Sequence, residues 1–273
     1  MSGLIDTHNH SLPEIDDGAK TTAMALDMLR VAENQGTTEV VLTPHHLNGA
    51  FNNSSRSIMQ SFDELCNQAQ SAGIKLKLHL GSEVHLVNQA AAQLINGEAM
   101  TYCNHKKAAL IEPPKRNMPL GYQSILFELI NSGITPVIAH PERNQFLRNN
   151  SDEVEHLVNM GCKIQITAQS ITGDFGESIA AASKDLLNRR LVHIVASDAH
   201  RVEGRSPDLT KAYQLISNAL SRESADLLLK INPKRLILGE SLEPLTHSLL
   251  WDDSERQPLK SKTPHNWWSK FFS

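Results

Sequence analysis

Short apolar runs alternate with stretches of helical period along most of the chain. Residues 4–7 form a first run of β type. Ala25, Met28, Leu29 and Ala32 then recur at i, i+3, i+4 and i+7, the spacing of one helix face. Gly36 ends that helix. Residues 39–43 read as a strand stopped by Pro44, 57–72 as a helix closed by Gly73, 75–81 as a strand and 87–95 as a helix stopped at Gly97. The pattern continues with a strand at 108–112 running into Pro113-Pro114, and a helical period at Tyr122, Ile125, Leu126 and Leu129 ended by Gly133. A short buried strand at 136–139 precedes His140-Pro141. Ser151 is placed to cap a helix reaching Met160, with Glu153 and Glu155 near its positive end. A strand at 163–167, a helix at 176–188, a strand at 191–196 and a helical period at Ala212, Leu215, Ile216 and Ala219 follow.

These are about seven βα units. Their strands are short and apolar, as in a parallel sheet covered on both faces. The expected fold is α/β, a closed or nearly closed parallel barrel. The alternative is an open doubly wound sheet. A barrel is preferred because candidate ligands follow nearly every strand, and a barrel brings those ends to one mouth. Residues 1–248 are assigned to this domain. Residues 249–273 form a polar tail ending in Trp267-Trp268-Ser269-Lys270-Phe271-Phe272, which could fold back, dock on a partner or touch a membrane surface.

The strand ends carry the chemistry. His8 and His10 flank one residue behind the first apolar run, and in an extended segment i and i+2 point the same way. Both can reach one ion at ~2.0–2.1 Å. Asp16-Asp17-Gly18 alone reads as a turn. His45-His46 follows Thr43-Pro44, and Glu83 follows Gly81. Glu112 closes Ala-Ala-Leu-Ile-Glu and His140 closes Pro-Val-Ile-Ala-His, positions that are costly for a polar group unless it is paired or metal-bound. Asp198 and His200 make a second i, i+2 pair after a buried run. Each has an ordinary alternative, such as a surface His-x-His or an exposed loop acid; together they mark a site at strand C-terminal ends. The donors are N and O with no thiolate, which suits Mn²⁺, Fe²⁺ or Zn²⁺. They are too many for one ion, so two or three bridged ions are expected. Arg143 and Arg205 lie in loops leaving ligand-bearing strands, where a guanidinium fork can take a phosphate.

Composition removes several rivals. The net charge of −4 gives no electrostatic footprint for nucleic acid. No run of 18 or more apolar residues suggests a transmembrane segment, and no secretory signal is visible. Cys66, Cys103 and Cys162 stand far apart, which favours a reducing cytoplasm over a disulfide framework. None is followed by Arg six residues on, as a cysteine phosphatase requires. There is no GxSxG, GxGxxG or GxxxxGK[ST].

The ordered series Asp-Thr-His-Asn-His, Asp16-Asp17-Gly18, Thr43-Pro44-His45-His46, Gly-Ser-Glu83, Ile111-Glu112, Ala139-His140-Pro141-Glu142-Arg143 and Ala196-Ser197-Asp198-Ala199-His200 resembles the polymerase-and-histidinol-phosphatase superfamily. More narrowly it resembles the bacterial metal-dependent protein-tyrosine phosphatases. The resemblance covers about residues 3–240. It implies a distorted (β/α)₇ barrel with a three-metal site. His8, His10, Glu83 and Asp198 would hold the first ion. Glu83 would bridge to the second, also bound by His140, with Glu112 where many relatives have histidine. Asp16, His45 and His200 would hold the third. Arg143 and Arg205 would bind phosphate. Mn²⁺ comes first among the metals, and the implied partner is a phosphotyrosine protein, a membrane-associated tyrosine autokinase of capsule or exopolysaccharide synthesis. One departure is Pro113-Pro114-Lys115-Arg116, where that branch more often has an aromatic residue and one proline. The alternative activities are a small-molecule phosphatase for histidinol or sugar phosphates, a nuclease module, or an inactive regulatory module. His46 is the one candidate general acid.

Overall fold

A computed structural model describes residues 3–46, 49–51 and 53–246. The tail assigned to residues 249–273, with its aromatic end, lies wholly outside the described residues. The strands are β1 (Leu4–Asn9), β2 (Thr37–Leu42), β3 (His45–His46), β4 (Lys77–Leu80), β5 (Glu83–His85), β6 (Ala108–Glu112), β7 (Thr135–Ala139), β8 (Lys163–Thr167) and β9 (Ile194–Ala196). Helices follow most of them. All strand pairings are parallel, in two sheets ordered β1-β2-β4 and β3-β5-β6-β7-β8-β9.

The chain is thus a mixed α/β fold with parallel sheets, and the hydrogen-bonded ladder is divided rather than single. The division has a local cause. Pro44 lacks an amide hydrogen, and the ladder breaks at Thr43-Pro44 between β2 and β3. Beside it, Gly81-Ser82 separates β4 from β5. Backbone bonds cross the gap, from Gly81 to the Leu42 carbonyl at 2.9 Å and from Glu83 to the Pro44 carbonyl at 3.0 Å. On the other side, Asn9 and Ala199 form an isolated parallel bridge, and the Asp198 amide donates to the His8 carbonyl at 2.8 Å.

Alternation along the strands separates two cores. Leu110, Val137, Ala139, Ile194 and Ala196 share a cluster with Ile5 and Val41. Their neighbours Ile111, Ile138 and Val195 pack among helix residues such as Leu126, Leu129 and Leu187. A parallel sheet covered on both sides needs apolar residues at successive positions, which is why the strands read as short continuous runs. The helix expected from Ser151 begins there, but Asn150 is its cap residue. The Ser151 hydroxyl instead accepts a bond from Arg189 at 2.5 Å.

β1 departs from simple alternation. Asp6 pairs with Val40, while Asn9 pairs with Leu42, so one extra residue sits on β1 between those pairs. Such a bulge reverses which side the following residues face. His8 therefore faces inward and reaches Gln165 of β8, with His8 Nδ1 at 3.0 Å from Gln165 Oε1. Asp6 fixes the bulge. Its carboxylate accepts from the Ser197 amide at 2.9 Å, the Ser197 hydroxyl at 2.6 Å and the Asn9 side-chain amide at 3.0 Å. Burial pushes its carboxyl upward in pKa, against these bonds.

Replacing Asp6 with Ala leaves four buried donors, the His8 amide among them, without this acceptor. Each unsatisfied group costs about 1–3 kcal/mol. The expected result is an unfolding free energy lowered by at least one such increment, read as a lower urea midpoint at unchanged steepness; a midpoint equal to the parent's contradicts the bulge account.

Candidate metal centre

The strand ends meet in one buried basin. Donor atoms of His8, His10, Glu83 and Asp198 all lie within 4.8 Å of one another, as do those of His10, Asp17, His45 and His200, and those of His45, Glu83 and Glu112. Glu83 and His45 each belong to two groups, and His10 joins the first two, so the groups share walls.

Three of the imidazoles, those of His8, His10 and His200, are aimed by a bond on the nitrogen that faces away from the basin. His8 Nδ1 donates to Gln165 Oε1, which leaves Nε2 at 3.2 Å from Glu83 and 3.3 Å from Asp198. His10 Nδ1 donates to Asp16 Oδ2 at 2.7 Å, and its Nε2 lies 3.4 Å from both Glu83 and Asp198. His200 Nδ1 donates to the Asp198 carbonyl at 3.0 Å, leaving Nε2 at 3.1 Å from Asp17. His45 places Nδ1 at 3.0 Å from Glu83 and Nε2 at 3.3 Å from Asp17. His140 Nε2 lies 3.0 Å from Glu83 Oε1. Partners that fix tautomer and ring direction in this way are what metal-binding histidines require.

Two positions of the basin depend on unusual backbone. His140 has φ 34° and Asp198 has φ 52°. Left-handed geometry at a non-glycine residue costs of order 1–3 kcal/mol and persists where the surroundings enforce it. Here it ends β7 and follows β9, and it turns both side chains into the basin.

The charges demand compensation. Burial opposes ionisation of Glu83 and Asp198, yet His8 and the other surrounding cations hold both carboxyls well below the usual range. Burial likewise opposes protonation of His10 and His45. Asp16 above all outweighs it for His10, and Glu83 raises His45 to about 10. Burial and the neighbouring His10 lower His200 to about 4. The carboxylates thus favour positive charge at their centre. Meanwhile Glu83 Oε2, Asp198 Oδ1 and His45 Nδ1 are buried without a well-formed hydrogen bond among the described residues. Buried orphan atoms of this kind point to an ion, and the all-N/O donor set suits a hard or borderline divalent cation.

Most residues singled out in the sequence converge here: His8, His10, His45, Glu83, Glu112, His140, Asp198 and His200. Asp16 needs correction. Its carboxylate accepts from His10, from the His45 amide at 3.0 Å and from the Gly18 amide at 2.8 Å, so it stands behind the basin and orients His10. The adjacent Asp17 supplies the carboxylate that faces His45 and His200. Gly18 makes this turn possible, because a Cβ there would lie 2.0 Å from the His10 carbonyl oxygen. Sequence reasoning also passed over His85, whose Nδ1 lies 3.1 Å from Glu112. The signal was present, since Glu83-Val84-His85 repeats the i, i+2 spacing of His8 and His10. His46 turns away from the basin, its Nδ1 donating to the Asn53 carbonyl at 2.7 Å.

Arg143 and Arg205 meet on a single atom. Both guanidinium groups donate to Asp198 Oδ2, Arg205 at 2.6 Å. Arg143 also lies over the Phe175 ring, 5.2 Å from its centroid. Two cationic forks therefore stand at the edge of a basin rich in carboxylates.

The fold and basin define an α/β protein of the metal-centre type, with donors gathered at the ends of parallel strands. The chain belongs to the family described as "Capsular polysaccharide synthesis, CpsB/CapC", whose model matches residues 4–238. Tyrosine-protein phosphatase YwqE of Bacillus subtilis is 34% identical over 83% of this chain and 92% of that protein. Tyrosine-protein phosphatase CpsB of Streptococcus pneumoniae is 32% identical over 87% and 99%. The crystal structures of these two proteins, described as unique metal-dependent tyrosine phosphatases, include a chain that superposes with a TM-score of 0.85 at 31% identity, covering 90% of this chain and 99% of that one. A phosphotriesterase homology protein of Escherichia coli shares the fold alone, at a TM-score of 0.53 and 13% identity.

The two aspartates have different expected outcomes. Asp17→Ala removes a donor and should lower the number of Mn²⁺ bound, counted by elemental analysis. Asp16→Ala keeps the donors facing the basin and should weaken affinity by roughly 10–100-fold without changing that number. The reverse pattern contradicts the geometry.

Proposed function

We propose that the protein is a metal-dependent protein-tyrosine phosphatase that hydrolyses phosphotyrosine on a protein of bacterial capsule or exopolysaccharide synthesis. The convergence of Arg143 and Arg205 at the edge of the carboxylate–imidazole basin carries this reading. The family and its phosphatase relatives support it. The substrate is a membrane-associated tyrosine autokinase, met in the cytoplasm. Three unpaired cysteines, and the lack among the described residues of a helix long and apolar enough to cross a membrane, accord with that setting.

The scaffold is a distorted (β/α)₇ barrel. Counting β2 with β3 and β4 with β5 as interrupted strands leaves seven, and the Asn9–Ala199 bridge links the first strand to the last loop. The basin would hold two or three divalent ions, with Mn²⁺ ahead of Fe²⁺ and Zn²⁺. His8, His10, Glu83 and Asp198 would hold one. Glu83, Glu112, His140 and His45 would hold a second. Asp17, His45 and His200 would hold a third, with Asp16 behind His10. Ions of this kind lower the pKa of water toward neutrality and offset negative charge in phosphoryl transfer.

The chain's own groups do the rest. Asp198 holds Arg143 and Arg205 toward one point, and their forks take two non-bridging phosphate oxygens. That contact stabilises charge as the ester bond breaks. Phenol has a pKa of ~10, so tyrosine leaves with less proton donation than an alkyl alcohol. Thiolate attack has no support. Burial pushes the Cys103 thiol up to about 11 and the Cys162 thiol to about 12, and it raises Cys66 as well.

Protein stripped with chelator should release no phosphate from a phosphotyrosine peptide, and Mn²⁺ should restore release. His140→Ala should lower the restored rate at least ~10²-fold. Release without metal, or faster hydrolysis of histidinol phosphate than of the peptide, overturns the assignment.

A further inference from the structure

A cavity of about 640 Å³ opens beside the basin on the Arg205 side. Its walls are the segment after β8 that carries Phe175 and the loop after β9 that carries Val202 and Arg205. The two walls are tied together, because the Gln169 side-chain amide donates to the Gly204 carbonyl. The second wall is also tied to the metal basin. The amides of His200 and Arg201 both donate to the Arg205 carbonyl, at 2.9 and 3.2 Å.

Cavity and basin therefore share a border formed by the phosphate-facing arginines. Arg205 lines the cavity and bonds Asp198. Phe175 lines it too and packs under Arg143, which bonds the same Asp198 oxygen. A phosphoryl group on the two forks would have its ester oxygen and whatever is attached to it next to this space. The volume falls in the ~300–1,000 Å³ range of ligand sites.

The lining indicates what is attached. Arg201, Arg205 and Lys211 are balanced by Asp174, Glu203 and Asp208, beside the apolar surfaces of Phe175 and Val202. A polyanion such as a nucleic acid needs an excess of cations. An extended polypeptide, with alternating apolar and polar side chains, matches both features.

We infer that this cavity seats the polypeptide segment flanking the phosphotyrosine, with Phe175 and Val202 as its apolar contacts; the inference rests on the phosphatase reading above. The cavity makes the enzyme select phosphotyrosine within a protein over the free phosphoamino acid.

The test compares kcat/KM for free O-phosphotyrosine with that for phosphotyrosine flanked on both sides by alternating alanine and serine, using Mn²⁺-loaded full-length protein. The parent should prefer the flanked substrate. Val202→Asp, at a side chain 37% exposed, should lower the ratio of flanked to free kcat/KM by roughly tenfold or more, mainly through KM. Phe175→Ser, as a second variant, should lower the same ratio, and Phe175→Trp should restore it. A parent that hydrolyses both compounds with equal kcat/KM, or variants whose ratio stays at the parent's value, overturns the cavity assignment and leaves the phosphatase reading standing. A parent that hydrolyses neither after metal is restored overturns both.

Discussion

Glu83 sets the terms for this structure. Its carboxylate is 1% exposed and stands within 3.4 Å of nitrogens from His8, His10, His45 and His140. Four imidazoles from three strand ends converge on one buried anion, with Asp198 beside it. Burying a carboxylate is expensive unless charge and hydrogen bonds offset it. One oxygen of Glu83 nevertheless has no well-formed bond among the described residues. Cations at the centre would resolve that imbalance, and the neighbouring groups face the same point.

The fold meets the requirement by breaking its own regularity at the strand ends. A bulge in β1 turns His8 and His10 inward, and Asp6 ties that bulge to Ser197 after β9. Left-handed backbone at His140 and Asp198 redirects two more side chains. Pro44 and Gly81-Ser82 interrupt neighbouring strands where His45 and Glu83 enter the basin. The parallel sheets supply the apolar base, with Leu110, Val137 and Ile194 packed together in its core. Strain and interruption fall at the functional end, where stored strain is expected.

Much of this was legible in the sequence because parallel strands read as short apolar runs and polar residues closing such runs stand out. His140 after Pro-Val-Ile-Ala and Asp198 after Ile-Val-Ala-Ser are examples. The i, i+2 spacing of His8 and His10 gave their common direction, but not which side of the sheet they face, since the bulge that decides it leaves no mark in composition. Asp16 and Asp17 could not be told apart for a similar reason. Adjacent residues in a tight turn point differently, and the close packing of Gly18 against His10 settles which carboxylate reaches the basin. The broken ladder beside Pro44 was foreshadowed by the proline itself. His85 was missed although its spacing from Glu83 was visible, because strand β5 is only three residues long and reads as a loop.

The central claim is that divalent cations complete this basin around Glu83. Anomalous diffraction from crystals equilibrated with Mn²⁺ tests it most directly. The account predicts peaks enclosed by His8, His10, Glu83 and Asp198, and by Asp17, His45 and His200, with Glu83 next to at least one further peak toward Glu112. A map with Mn²⁺ bound elsewhere and none of these positions filled would contradict it.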